Sequence, residues 1–159
     1  MSNVAGWSAL SHACAGGHLD CVESLVRCGS DVNHRTHKGS TPAMLAAEQG
    51  RNDVLEAMLG YAAVDINDRN KNGFTALHRA ADAGHVSTCR LLVAKGADPD
   101  IQDAFGSTPL HWSCSNGHAD AVTYFLSLGV SIKVLNRAHK TPLDMAQESG
   151  QEEVIRKMK

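Results

Sequence analysis

The sequence predicts an all-α solenoid in which five helix-turn-helix units stack in a row and are joined by β-hairpin-like fingers. Three observations carry this. Gly39-Ser-Thr-Pro42, Gly73-Phe-Thr-Ala76 and Gly106-Ser-Thr-Pro109 recur, with weaker copies at Gly6-Trp-Ser-Ala9 and His139-Lys-Thr-Pro142, at separations of 33, 34, 33 and 33 residues. A second register of glycines, Gly17, Gly50, Gly84, Gly117 and Gly150, falls 11 residues after each first position. The composition is 43% hydrophobic but has only three Phe, two Trp and two Tyr, so the core must be close-packed from Ala, Leu, Val and Cys.

Taken in order, the units explain themselves. Thr41, Thr75, Thr108 and Thr141 suit the N-cap of a helix, and Pro42, Pro109 and Pro142 suit its first turn. Each such helix, of about ten residues, ends at the second-register glycine, which tolerates the positive φ of a helix terminus. A second apolar run follows, at Leu19 to Val26, Val54 to Leu59, Val86 to Val93 and Ala121 to Leu126. Turn-rich segments then lead to the next unit: Gly29-Ser-Asp-Val-Asn33, Ala63-Val-Asp-Ile-Asn67, Gly96-Ala-Asp-Pro-Asp100 and Gly129-Val-Ser-Ile-Lys133. A lone helix pair cannot bury its apolar face, so the units stack as one domain over 1–159, with repeats at about 2–34, 35–68, 69–101, 102–134 and 135–159.

The best copies, Gly-Phe-Thr-Ala-Leu-His-Arg-Ala-Ala from Gly73 and Gly-Ser-Thr-Pro-Leu-His-Trp-Ser-Cys from Gly106, each followed by Gly-His, closely resemble the ankyrin repeat. The resemblance covers the whole chain in five units. It implies a curved stack whose fingertips and concave first-helix face carry binding. The departures are few. Repeat 2 has an extra residue near Gly60-Tyr-Ala-Ala-Val64, expected to enlarge a back loop, and His139 replaces the finger glycine of repeat 5. Gln151 to Lys159 forms a polar closing helix, whereas repeat 1 offers Trp7, Leu10 and Ala13 without a polar cap. The missing finger ahead of Gly6 favours an array excised from a longer protein.

Charge and composition exclude several functions. With 15 Lys+Arg against 17 Asp+Glu the formal charge is −2, which gives no bulk attraction to polyanions. Arg35, Lys38, Arg69, Lys71, Arg137 and Lys140 make only a sparse basic stripe on the fingers, so no nucleic-acid binding is expected. No apolar stretch has the roughly 18 residues of a membrane span, and Met1 to Gly6 lacks the features of a secretory leader. Five Cys, an odd number, read as reduced thiols in a cytoplasmic or nuclear setting.

Neither a metal nor a cofactor is expected. His78 and His111 fill the Leu-His slot, and His18, His85 and His118 the Gly-His slot, which the resemblance assigns to structural hydrogen bonds. Cys21 and Cys28 lie about 10 Å apart along one helix, with Cys14 on another, too far to share tetrahedral zinc. Cys14 and Cys114 occupy a small core position. Glu48, Asp82 and Glu148 align near the ends of first helices, about 10 Å apart by helix packing and without a partner acid, so they read as a solvated row. No nucleophile has an adjacent base, and the chain is expected not to be an enzyme.

The informative residues are those the repeat does not require. The variable slot after Leu-His holds His12, Leu45, Arg79, Trp112 and Met145 in succession, three of them large and apolar. If that slot faces solvent, as the resemblance implies, Trp112 flanked by Arg79 and Met145 is an interface anchor. The alternative is that Trp112 tucks against its neighbours. As a groove residue, Trp112→Ala is expected to leave stability nearly unchanged. Phe105 and Leu135 sit at finger turns where polar residues would suffice, and Gln102 extends the same surface. The expected function is a non-catalytic scaffold or adaptor module, a monomer, binding a protein or peptide along Leu45, Arg79, Gln102, Phe105, Trp112, Leu135 and Met145. The alternative within the fold is an enzyme inhibitor or assembly chaperone, since arrays of this kind resemble cyclin-dependent kinase inhibitors and proteasome chaperones. Asn33 and Asn67, each eight residues after Leu25 and Leu59, resemble ankyrin asparagine-hydroxylation sites, with finger-turn support as the alternative role.

Overall fold

A computed structural model describes residues 4–159 of the chain. The start of the first repeat, and the leader reading over Met1 to Gly6, fall partly outside these residues. Among the described residues ten helices follow in order: α1 (Ala9–Gly16), α2 (Leu19–Arg27), α3 (Pro42–Glu48), α4 (Asn52–Leu59), α5 (Ala76–Ala83), α6 (Val86–Ala94), α7 (Pro109–Ser115), α8 (Ala119–Ser127), α9 (Pro142–Glu148) and α10 (Glu152–Met158). There is no strand among the described residues. Each odd-numbered helix packs on the even-numbered one that follows it, and each helix also packs on its counterpart in the next pair, giving two layers.

The helices start where the capping residues place them. Ser8 Oγ accepts from the Ser11 amide at 3.1 Å and Thr41 Oγ1 from the Met44 amide at 3.4 Å. At α5 and α7 the cap is reciprocal, because His78 Nδ1 and His111 Nδ1 accept from the Thr75 and Thr108 amides at 3.2 and 3.0 Å. At α9 the same position is Asp144, whose Oδ2 accepts from the Thr141 amide at 2.8 Å. That bond, the Thr141 hydroxyl and the nearby Lys140 hold the Asp144 carboxyl below its ordinary pKa.

The first helices are 7 or 8 residues long, shorter than expected; α1 and α5 are capped by the second-register glycines Gly17 and Gly84, while α3, α7 and α9 are capped by Gln49, Asn116 and Ser149, one residue before theirs. Gly84 sits at φ 77°, and a Cβ there would lie 2.5 Å from His118 Nδ1, so both backbone freedom and absence of a side chain are needed. The residue after each such glycine stitches its repeat to the one before. Arg51 Nε donates to the Ala15 carbonyl at 3.0 Å, and His85 Nε2 to Glu48 at 3.1 Å. His118 Nε2 donates to the Asp82 carbonyl at 2.8 Å, and Gln151 Nε2 to the Ser115 carbonyl at 3.1 Å. On the finger side the direction reverses: His78 Nε2 donates forward to the Ser107 carbonyl at 3.1 Å and His111 Nε2 to Lys140 at 3.2 Å.

The core follows the composition. Leu10, Leu77, Leu110, Val22, Val54 and a row of alanines from Ala43 to Ala81 fill it, with Phe125 the largest fully buried side chain. Cys14, Cys89 and Cys114 are buried in it, and burial pushes each thiol up to about 12, far from reactive thiolate. Cys21 on α2 and Cys28 at its C-cap are exposed instead. The extra residue of repeat 2 enlarges the back loop after α4, where the Val64 amide donates to the Tyr61 carbonyl at 3.0 Å.

The fingers are turns held by a pair of backbone bonds each. The Asp103 amide donates to Ser107 O at 2.9 Å within one finger, and Asn70 to Phe74 O at 3.0 Å within another. One backbone–backbone bond joins each finger to the next: His37 N to Ala5 O at 3.0 Å, Lys71 N to Lys38 O at 3.1 Å, Ala104 N to Asn72 O at 2.9 Å and Arg137 N to Phe105 O at 2.9 Å. So few pairings cannot propagate a ladder, yet they fix the fingertips in a row. His139, standing where the other fingers have glycine, adopts φ 58°.

Candidate interaction surface

The fingertips and the exposed edge of the first helices meet in repeats 3 to 5, and Asp103 holds them together. This carboxylate is buried; its Oδ1 accepts from the Phe105 and Ser107 amides at 2.8 and 3.0 Å, folding the finger turn. Its Oδ2 accepts from Trp112 Nε1 at 2.7 Å, tying the finger to α7. The same slot is Asn70 in the preceding finger and Asn136 in the following one. Asn70 Oδ1 accepts from the Asn72 and Phe74 amides, and Asn136 Oδ1 from the Ala138 and Lys140 amides. Asn136 Nδ2 also reaches Met145 Sδ at 3.5 Å, which places Met145 in the relation to its finger that Trp112 has to Asp103.

An aromatic cluster grows on this support. Trp112 stands edge-on to Phe74 at 5.5 Å between ring centroids and to Phe105 at 6.4 Å, and Phe74 stacks on His78 at 5.8 Å. The Arg79 guanidinium lies 5.0 Å above the Phe74 ring. Phe105 and Leu135 project outwards, each 52% exposed, from adjacent fingers. Gln102 Nε2 donates to the Gly106 carbonyl at 2.7 Å and reaches the Leu135 carbonyl at 3.5 Å, bridging the same two fingers.

Two expectations change. Leu45 is only 4% exposed, because α1 and α5 flank α3 on both sides, so it is the floor of a cavity rather than a surface contact. Trp112 is half-buried and donates to a buried carboxylate, so it supports the finger, and the expectation that its truncation leaves stability nearly unchanged gives way to an expected loss. His12 remains exposed on α1, tilted against Trp7 at 5.0 Å.

The sequence matches the family described as ankyrin repeats (three copies) over residues 10–103 and again over 95–158. The chain belongs to the ankyrin-repeat family. Its relatives include the ankyrin repeat and KH domain-containing protein mask-1 of Caenorhabditis elegans, 38% identical over 101 residues, which are 62% of this chain and 4% of that protein. Inversin of Danio rerio is 42% identical over 85 residues, 53% of this chain and 8% of inversin. The nuclear factor NF-kappa-B p105 subunit of Gallus gallus is 33% identical over 104 residues, 65% of this chain and 11% of p105. The chain therefore spans a small fraction of the relatives it resembles.

Within the ankyrin array the charged rows are largely engaged. Arg35 pairs with Asp68 at 2.7 Å, Lys140 with Glu148, and Arg69 donates to the Gln102 carbonyl. In the acidic row, Asp82 Oδ1 accepts from Asn116 Nδ2 at 2.6 Å and Glu48 faces Arg79 at 3.8 Å. No group of three or more His, Cys, Asp or Glu among the described residues is arranged to hold a metal ion. No helix among the described residues is long and apolar enough to cross a membrane. The Asn33 and Asn67 side chains both reach the next back loop: Asn33 Nδ2 donates to Ala63 O at 2.8 Å, and Asn67 Oδ1 accepts from the Asp98 amide at 2.9 Å. The sequence reading missed Asp103 and Phe74, although the Asn-Asp-Asn series at positions 70, 103 and 136 marks the turn-forming slot.

Proposed function

We propose that this ankyrin array is a non-catalytic interaction module, a scaffold or adaptor working as one unit of five repeats and as a monomer. It binds a protein or peptide along the fingertips and concave groove, with Phe105, Leu135, Trp112 and Gln102 at the centre and Arg79, Met145 and the Leu45 cavity extending the surface. Ankyrin repeats are general protein-interaction modules. The observation that carries the reading here is the exposure of Phe105 and Leu135 on adjacent fingers joined by the Arg137–Phe105 backbone bond. Two large apolar groups displayed on adjacent braced turns leave about half of their surface to solvent, available to a partner. The five unpaired thiols favour a cytoplasmic or nuclear setting.

The test is affinity capture from lysate with the native chain beside a Phe105→Ser, Leu135→Ser double variant, followed by binding measurements with each purified partner. Both sites are about half exposed, so the variant is expected to stay folded, losing about 1 kcal/mol through the ring contacts of Phe105 with Phe74 and Trp112. It is expected to lose at least about tenfold in affinity, as loss of interface anchors does. A partner bound equally by both chains would remove these fingers from the site.

A further inference from the structure

A second place on the concave face carries more specific chemistry. Between the first three helix pairs lies a cavity of about 310 Å³ whose lining includes Trp7, Thr36, Lys38, Leu45, Glu48 and Arg79. That volume is at the small end of the roughly 300–1,000 Å³ range of ligand pockets, room for a side chain rather than a cofactor. Leu45 and Trp7 supply apolar surface, and Lys38 is exposed.

Arg79 is the anomaly. Its side chain is only 14% exposed, so its charge has lost most of its contact with water, yet among the described residues its single ion pair, to Glu48, is long at 3.8 Å. Its Nε is buried and finds no acceptor among the described residues. Arg35 shows what a satisfied arginine looks like in the same array, with Nη2 donating to both Asp68 oxygens at 2.8 and 2.7 Å. The Phe74 face beneath Arg79 offsets part of the charge but accepts no conventional hydrogen bond. A cation withdrawn from water and incompletely paired favours any carboxylate that can reach it.

We propose that this cavity receives an acidic side chain that a partner presents between apolar neighbours: the carboxylate pairs with Arg79, and the neighbours lie on Trp7 and Leu45. The proposal rests on the reading of the chain as an interaction module and names the partner chemistry for one part of it. Lys38 adds attraction. Glu48 opposes entry, being a like charge in the same cavity, and its side chain is 37% exposed and free to turn outwards.

The probe is a set of short fluorescein-labelled peptide pools, randomised except for a central Leu-Glu-Leu, Leu-Gln-Leu or Leu-Lys-Leu, read by fluorescence polarisation. The native chain is expected to bind the Glu pool about tenfold more tightly than the Gln pool, and the preference should fall as salt rises from about 50 to about 300 mM. Arg79→Leu should bring the ratio to near one. Glu48→Gln should act in the opposite direction and raise affinity for the Glu pool about threefold, which keeps the test open should Arg79→Leu not fold. Equal binding of the Glu and Gln pools by the native chain, or binding of none, overturns the proposal, as does a Glu preference that Arg79→Leu leaves unchanged or a Glu48→Gln chain that binds the Glu pool no better. The Phe105, Leu135 capture experiment judges the module reading separately, so a partner lost there alongside equal pools here rejects only the cavity.

Discussion

Acidification should loosen this array through its capping histidines. The His78 ring is 1% exposed, with Nδ1 accepting from the Thr75 amide at 3.2 Å and Nε2 donating to the Ser107 carbonyl at 3.1 Å. That pair of bonds requires the neutral ring; a proton on Nδ1 would face an N–H donor. Burial accordingly pushes the pKa from 6.5 down to about 4, with the Ser107 and Ile101 carbonyls and the Asp103 carboxylate pulling it up and Arg69 pushing it further down. The sign follows from proton binding. Between those two values the unfolded chain takes up a proton that the folded chain refuses, so stability is full above pH 6.5 and is lost as pH falls towards 4. At about 1.4 kcal/mol per pH unit within that window, His78 alone should remove about 2 kcal/mol between about pH 7.5 and about pH 5. His111, also shifted downwards by burial, adds in the same direction. Urea unfolding at the two pH values measures the loss, and His78→Gln should shrink it by about 2 kcal/mol. Titration of the His78 ring in the folded chain with a midpoint near 6.5, followed by NMR, would refute the reasoning. So would a loss that persists unchanged in the variant.

Other outcomes follow from particular residues. His139→Gly should raise stability by about 1 kcal/mol in equilibrium unfolding, because it relieves a left-handed conformation that costs a side chain roughly that much; a loss would mean the His139 ring makes a contact worth more than the strain. Trp112→Phe should cost about 1–3 kcal/mol by leaving an Asp103 oxygen without its donor, and an unchanged denaturation midpoint would show that water replaces the indole. Leu110→Ala should cost about 2–5 kcal/mol through the cavity it opens between neighbouring repeats, checked in the same melts. The folded array should gain no oxygen at Asn33 or Asn67 on incubation with an asparaginyl hydroxylase, since both amides are bonded across to the next back loop; peptide masses showing oxidation of the native fold would contradict this.

What was legible in the sequence was what is local. A threonine accepting from the amide three residues on, a proline in the first turn and a glycine at positive φ each write their geometry within a few residues, and their spacing repeats it along the chain. Even the His139 departure was visible, although not that the residue would keep the glycine conformation. The surface was less legible because it depends on contacts across repeats. Leu45 and Met145 occupy equivalent slots, but Leu45 has a repeat on each side and is buried, whereas Met145 lies in the last helix pair and is half-exposed. Trp112 was singled out by its slot after Leu-His and its size, and nothing in its own helix announces the carboxylate nine residues earlier that accepts its indole hydrogen bond. Arg79 reads as an ordinary polar residue until its depth and its long ion pair are known.

The two-way stitching between repeats gives the array a polarity that its near-repetitive sequence does not advertise. At each junction one side chain reaches back to the preceding first helix, and at the last two junctions, where the Leu-His histidine is present, another reaches forward to the following finger. Opening a junction exposes a donor on one lip and an acceptor on the other, so both lips must be rehydrated together. Such a junction behaves as a latch with two catches. Under tension along the stack, separation should therefore proceed by whole junctions, with the pair fastened by both histidines resisting longest.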